Sequence, residues 1–176
     1  MEYTIWEMRP AEYPLLEDFL YEAIFQRDAA NRLPREIING PALQQYIRNF
    51  GKQTGDYCLC AEVNQTVVGA VWVRIIPGYG SVDSQTPEFA VSLVPEYRGR
   101  GIGTDLMRRM LLHLKDAGYA QASLAVQKDN YALRMYLAVG FQIAAENKEE
   151  YIMVHHLEPC PALDRKRDDI QEKSCL

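Results

Sequence analysis

The sequence predicts a mixed α/β fold, an α+β sheet with helices packed on it. Three features of the 176 residues predict it. Short apolar runs with strand character alternate with segments whose apolar residues recur at helical spacing. Their order is strand, two helices, three strands, helix, strand, helix, two strands. No repeat or long internal linker divides them, so one domain is expected over residues 1–157. A charged, proline-containing tail, expected to be loosely ordered, covers 158–176.

Taken in order, "YTIWEM" reads as the first strand. Pro10 opens a helix carrying Leu15, Leu16, Phe19, Leu20 and Ala23 at helical spacing. "RDAANRLP" breaks that pattern, and Asn39, Gly40 and Pro41 turn the chain into a second helix over "ALQQYIRNF". "DYCLCAEV" and "TVVGAVWVRII", separated by Asn64 and Gln65, read as a hairpin. "EFAVSLV" is the next strand. After a glycine-rich stretch, Ile102, Leu106, Met107, Met110, Leu111 and Leu114 mark a long helix that Gly118 ends. "AQASLAV" is a strand, "NYALRMYLAV" a short helix closed by Gly140, and "FQIAAE" with "EYIMVHHL" a final hairpin.

Composition narrows the function. Apolar residues make up 48% and charged residues 24%, and the net charge is −5. That balance argues against nucleic-acid or anionic-membrane binding. It suits a cationic partner such as an amine, or simply solubility. No leader pattern and no apolar run of membrane-spanning length is visible. Cys58 and Cys60 lack zinc-ligand spacing, so no metal is expected and a reduced, cytoplasmic protein is the simplest account. His155 and His156 alternate across the last strand, and His113 lies at the edge of a helix stripe.

The stretch Val94–Gly103, "VPEYRGRGIG", runs from a strand end through a turn to a helix start. Glycines there let an anion reach the unpaired N–H groups of the helix, and Arg98 and Arg100 add positive charge. The same glycines are equally read as serving close helix–sheet packing. The P-loop and dinucleotide patterns are absent, so a nucleotide diphosphate fits but NAD does not.

Two motifs carry a resemblance. Arg98, Gly101 and Gly103 fill the pattern [Q/R]xxGx[G/A], and Asn130, Ala132, Tyr136, Gly140 and Phe141 follow a helix and a strand later. Together they resemble the GNAT (Gcn5-related N-acetyltransferase) superfamily over about residues 3 to 157. The resemblance implies an acyl-CoA N-acyltransferase fold with splayed central strands and flanking helices. It implies acetyl-CoA as cofactor and direct transfer of the acetyl group to a small amine or a peptide amine, in a ternary complex and without an acyl-cysteine. A non-catalytic acyl-CoA sensor and a protein or peptide N-acetyltransferase are the alternatives. Pairing as a homodimer through the last strand belongs to the same resemblance.

Carried over residue by residue, Val91, Leu93 and Val94 line the pantetheine arm, with the Leu93 amide polarising the thioester carbonyl. The backbone of Arg98, Gly99, Arg100, Gly101, Ile102 and Gly103 holds the pyrophosphate, and Thr104 adds its hydroxyl. Tyr136 donates to the departing thiolate, or is a plain core aromatic. Asn130 contacts the cofactor or caps its own helix. Glu88 is the candidate base, or a strand-end charge that attracts a cationic acceptor. Tyr131 stands where the family often has proline after the motif asparagine. The acceptor is expected between "FQRDAANRLP" and "PGYGSVDSQTP", beside Phe25, Arg27, Asp28, Tyr79 and Asp83.

Overall fold

Seven strands form one sheet in the order β1-β2-β3-β4-β5-β7-β6. They are β1 (Thr4–Glu7), β2 (Tyr57–Val63), β3 (Thr66–Arg74), β4 (Glu88–Leu93), β5 (Gln121–Gln127), β6 (Gln142–Glu146) and β7 (Glu150–His156). The helices are α1 (Leu16–Ala23), α2 (Pro41–Gln44), α3 (Ile102–Asp116) and α4 (Leu133–Ala138). This computed structural model describes residues 2–28 and 30–157; the expected tail, with Cys160 and Cys175, lies outside the described residues.

Each strand of the sequence reading is present, and the hairpin turns follow local chemistry. Asn64 and Gln65 join β2 to β3 with φ of 50° and 64°, the backbone that a tight two-residue hairpin requires. Asn147 turns β6 into β7 by accepting from the amides of Glu149 and Glu150. Two helices are shorter than their spacing suggests. Residues Pro10–Leu15 wind as a 3-10 turn, because Pro14 has no N–H for an α-helical bond and its ring crowds the preceding turn. Only Pro41–Gln44 of the second segment is α-helix. Beyond it the buried Arg74 guanidinium takes the carbonyls of Gln45 and Arg48 at 2.9 and 2.8 Å, oxygens that a continuing helix would use.

The sheet buries both faces. Val71, Val73, Phe89 and Leu124 pack under the α3 stripe of Ile102, Leu106, Met107 and Met110. Cys58, Cys60, Ala70 and Trp72 pack under Leu16, Phe19 and Leu20 of α1. Apolar burial of this kind contributes roughly 1.5–3 kcal/mol for each large side chain.

The feature that makes the site lies between β4 and β5. These strands are parallel and share one register pair, Glu88 with Ser123, where the Ser123 amide donates to Pro87 at 3.0 Å. Above it they part. The freed backbone groups follow from strand parity. The Val94 amide donates to Val68 at 2.9 Å, so Ser92 and Ala90 also bond towards β3. The N–H and C=O of Val91 and Leu93 therefore face the opening. By the same alternation those of Ala125 and Gln127 face it from β5, because Leu157 donates to Ala120 on the opposite side.

Candidate active site

Two adjoining cavities fill the opening. The first, about 380 Å³, runs from the glycine loop to β4 and includes Gly99, Gly101, Gly103, Thr104, Leu93 and Val91. The second, about 370 Å³, reaches inwards to Glu88 and Tyr46. Val91, Asn130 and Tyr136 line both. They mark the place where the two spaces meet.

The glycine loop has the form its sequence predicts. Gly99 and Gly101 hold φ of 70° and 86°, which side-chain-bearing residues rarely adopt. A Cβ on either would meet nothing within 4 Å, so this backbone faces open space and is not packed shut. Gly103 does lie close: a Cβ there would come within 3.1 Å of Leu93 and 3.3 Å of Met135. The glycines therefore differ: Gly99 and Gly101 are open, and Gly103 is closely packed. Asp105 donates to Gly101 at 3.1 Å and is the first amide inside the α3 ladder. The amides of Ile102, Gly103 and Thr104 precede it and have no intrahelical acceptor. Open glycine backbone leading into unpaired helix amides suits a pyrophosphate.

The arginines do other work with their side chains. Arg98 turns inwards, donating to the Leu93 carbonyl at 2.9 Å and to Glu22 at 2.6 Å. It ties the loop to β4 and α1 while forming part of the first cavity's wall. The Arg100 guanidinium lies over the Tyr97 ring at 5.7 Å, away from the first cavity. The Ile102 side chain is fully buried in the core. Val94 stands apart from the others: its amide donates to the Val68 carbonyl, its carbonyl accepts from Tyr97, and it lines neither cavity.

Asn130 caps its own helix entry, accepting from the Ala132 amide at 2.9 Å, while still forming part of both cavity walls. Tyr136 is buried, edge-on to Phe141 at 6.3 Å, and burial pushes its phenol above the ordinary range. Tyr131 is exposed and meets Phe25 edge-on.

Glu88 is only 2% exposed. Its Oε1 accepts from the Tyr46 hydroxyl and, at 2.7 Å, from the Gly80 amide. Among the described residues, its buried Oε2 has no partner. Burial raises its pKa, the two hydrogen bonds pull the other way, and nearby Glu150 adds to the rise. Burial matters most, because it penalises the charged form. Gly78 leaves room for this pair, since a side chain there would press on Glu88 Oε2 and the Tyr46 phenol.

The acceptor-side expectations divide. Phe25 and Tyr79 line the second cavity. Arg27 pairs with Asp129 at the surface, 2.7 Å apart. Asp28 caps the Ala30 amide, and Asp83 holds the Gln85 and Thr86 amides. Tyr46, Gly80, Gln127 and Glu150 were not foreseen, because contacts across 42 residues, such as Tyr46 with Glu88, leave no local pattern. Cys58 and Cys60 are buried, with thiols raised by desolvation, Cys60 to about 12, a poor state for nucleophiles. His113 stacks on Tyr57. No group of three or more metal-ligating side chains occurs among the described residues. None of their helices is long and apolar enough to cross a membrane.

Comparison with known proteins gives a consistent picture. A sequence model of the acetyltransferase (GNAT) family matches residues 11–141. The mycothiol acetyltransferase of Thermobispora bispora is 35% identical over 83 residues, 46% of this chain, and that of Kocuria rhizophila 32% over 77 residues, 43% of it. The chain spans only 28% and 25% of the length of those relatives. The PaiA N-acetyltransferase of Thermoplasma acidophilum, solved in complex with coenzyme A, superposes with a TM-score of 0.66 at 18% identity, covering 89% of this chain and 99% of its own. YncA of Salmonella typhimurium, a putative acetyltransferase solved with its cofactor acetyl-CoA, gives 0.63 at 20% identity, covering 93% and 98%. At these identities the likeness is one of fold.

Proposed function

The chain belongs to the acetyltransferase (GNAT) family, and from that premise we propose that it transfers an acetyl group from acetyl-CoA to a primary amine by direct attack in a ternary complex. One observation carries the reading. The open edge of β4 leads from the glycine loop to a point that both cavities share, and Val91 and Tyr136 stand there.

Acetyl-CoA supplies an activated thioester whose carbonyl oxygen gains negative charge as the amine attacks. The open backbone of Gly99 and Gly101 and the leading amides of α3 would hold its pyrophosphate, with the Thr104 hydroxyl beside them. Leu93 offers an outward amide to the pantetheine arm. The amide that meets the oxyanion is Val91 in our reading and not Leu93, because Leu93 lines the first cavity alone. Arg98 acts through the backbone: by gripping the Leu93 carbonyl and Glu22 it fixes the loop against the strand.

Glu88 takes the proton that the amine must lose. Three residues of extended strand separate it from Val91, roughly 10 Å, so the proton crosses through water. A raised pKa makes Glu88 a stronger base once ionised. Tyr136 has a different task. A phenol held above about 10 is a weaker acid than an alkyl thiol near 8.5, so it steadies the departing sulfur with a hydrogen bond and keeps its own proton.

Thiol release from acetyl-CoA across a panel of amines tests the proposal. Saturable, amine-dependent release is expected. Tight acetyl-CoA binding with no release from any amine or peptide would favour a sensor instead, and absence of CoA binding would overturn both.

A further inference from the structure

The chemistry of the second cavity narrows the acceptor. Its volume, about 370 Å³, lies near the lower end of small-molecule sites, roughly 300–1,000 Å³. Phe25, Leu33, Ile37 and Leu43 give it an apolar wall. Tyr79, stacked parallel to Tyr46 with centroids 6.5 Å apart, adds an aromatic surface. Leu33, Ile37 and Tyr79 are 42%, 36% and 51% exposed, so this apolar surface opens to solvent.

The charge is of one sign. Glu88 and Glu150 both line the cavity, and no lysine, arginine or histidine does. Glu150 stands opposite Gln127 in the β5–β7 register, close enough to Glu88 to disfavour its ionisation. Glu88 Oε2 is buried without a partner, and so is the Gln127 side-chain oxygen. Two carboxylates and an unpartnered amide oxygen in the wall favour a cation and disfavour an anion.

The backbone also bears on a peptide acceptor. A peptide acceptor could add a strand to the free edge of β5. Gly80 crowds that strand at one point: it lies so near the backbone of Leu124 and Ala125 that even a Cβ would collide.

We propose that the acceptor is a small amine with an aryl or alkyl body and no carboxylate. Its ammonium is drawn by Glu88 and Glu150, and its body lies against Leu33, Ile37 and Tyr79. The proposal rests on the transferase reading for its chemistry and on the cavity for its selectivity.

Phenethylamine, phenylalanine, ethanolamine and an alanine-initiated tripeptide test it, with kcat/KM from thiol release and amine binding to the CoA-loaded protein by calorimetry. Phenethylamine should exceed phenylalanine by about 100-fold or more and ethanolamine by about tenfold or more. Ile37→Asp, at a part-exposed position, should reduce the preference over ethanolamine about tenfold and leave CoA affinity unchanged. Preference for phenylalanine, ethanolamine or the peptide overturns the acceptor class and leaves the transferase standing. Phenethylamine that binds saturably, loses affinity in Ile37→Asp and never reacts, with no release from the other three either, supports the cavity assignment and overturns the transferase. No saturable binding of phenethylamine, together with no turnover of it, overturns the acceptor class.

Discussion

Arg74 and Glu88 are cross-strand partners on β3 and β4, both almost fully buried, and they do not pair with each other. Arg74 bonds to Asp56 through two nitrogens, at 2.8 and 2.9 Å, and donates to the carbonyls of Gln45 and Arg48. Both side chains of that ion pair are 1% exposed. Glu88, beside it, has donors for one oxygen and none for the other. The two sites spend burial differently. One saturates a charge and so fixes the segment after α2 against the sheet. The other is bonded through one atom and keeps the second buried without a donor, which raises the cost of its charged form. Tyr46 connects them, since it lies on the segment that Arg74 fixes and its hydroxyl reaches Glu88.

The comparison breaks most visibly at Arg74. Arg74→Met should cost about 3–5 kcal/mol of stability, because it leaves Asp56 buried and unpaired. Denaturant unfolding measures it, and a near-neutral result would remove the structural role.

Glu88→Gln should do the reverse. Loss of a general base lowers kcat towards the lower end of roughly 10²–10⁴-fold, since the proton travels through water. Stability should rise. The folded pKa of Glu88 lies above its unfolded value of about 4.3, so the native state binds its proton more tightly. The stability gained from that proton is full below the unfolded value and is lost as pH rises through the folded one. At neutral pH the buried charge is a cost that glutamine avoids. Thermal melts should show Glu88→Gln equal to or above the parent at pH 7, with the gap closing towards pH 4. A lower Tm at pH 7 would place Glu88 with Arg74 among the structural charges.

Tyr136→Phe should slow transfer about tenfold, the scale of one hydrogen bond, with CoA affinity preserved. An unchanged rate would return Tyr136 to the core. Smallest is Tyr46→Phe. The Tyr46 hydroxyl lowers the Glu88 pKa, so its removal should move the acidic limb of the kcat profile to higher pH, with little change on the alkaline plateau. A limb that does not move, or moves down, would separate Tyr46 from the base.

Much of this was legible in the sequence. The period-2 and period-3.6 patterns gave the strands, the α3 stripe and the strand–loop–helix junction, because those signals are local. The glycine loop and Tyr136 were legible through their motifs. Other features depend on residues far apart in the chain. Arg98 reads as an unpaired charge until Glu22, 76 residues away, is seen to bond with it. The second helix reads as nine residues until Arg74 is seen to take its carbonyls. The choice of Val91 over Leu93 needed the parting of β4 from β5, which no single strand encodes.

The central claim is that the β4 edge and the glycine loop form one binding surface. Amide chemical-shift mapping during a titration with coenzyme A tests it directly. The account predicts that the largest shifts fall together at Val91, Leu93, Gly99, Gly101, Gly103 and Thr104, and that Val94 moves little. Shifts clustered instead around Val63, Asn64 and Tyr97, with the β4 amides unmoved, would contradict it.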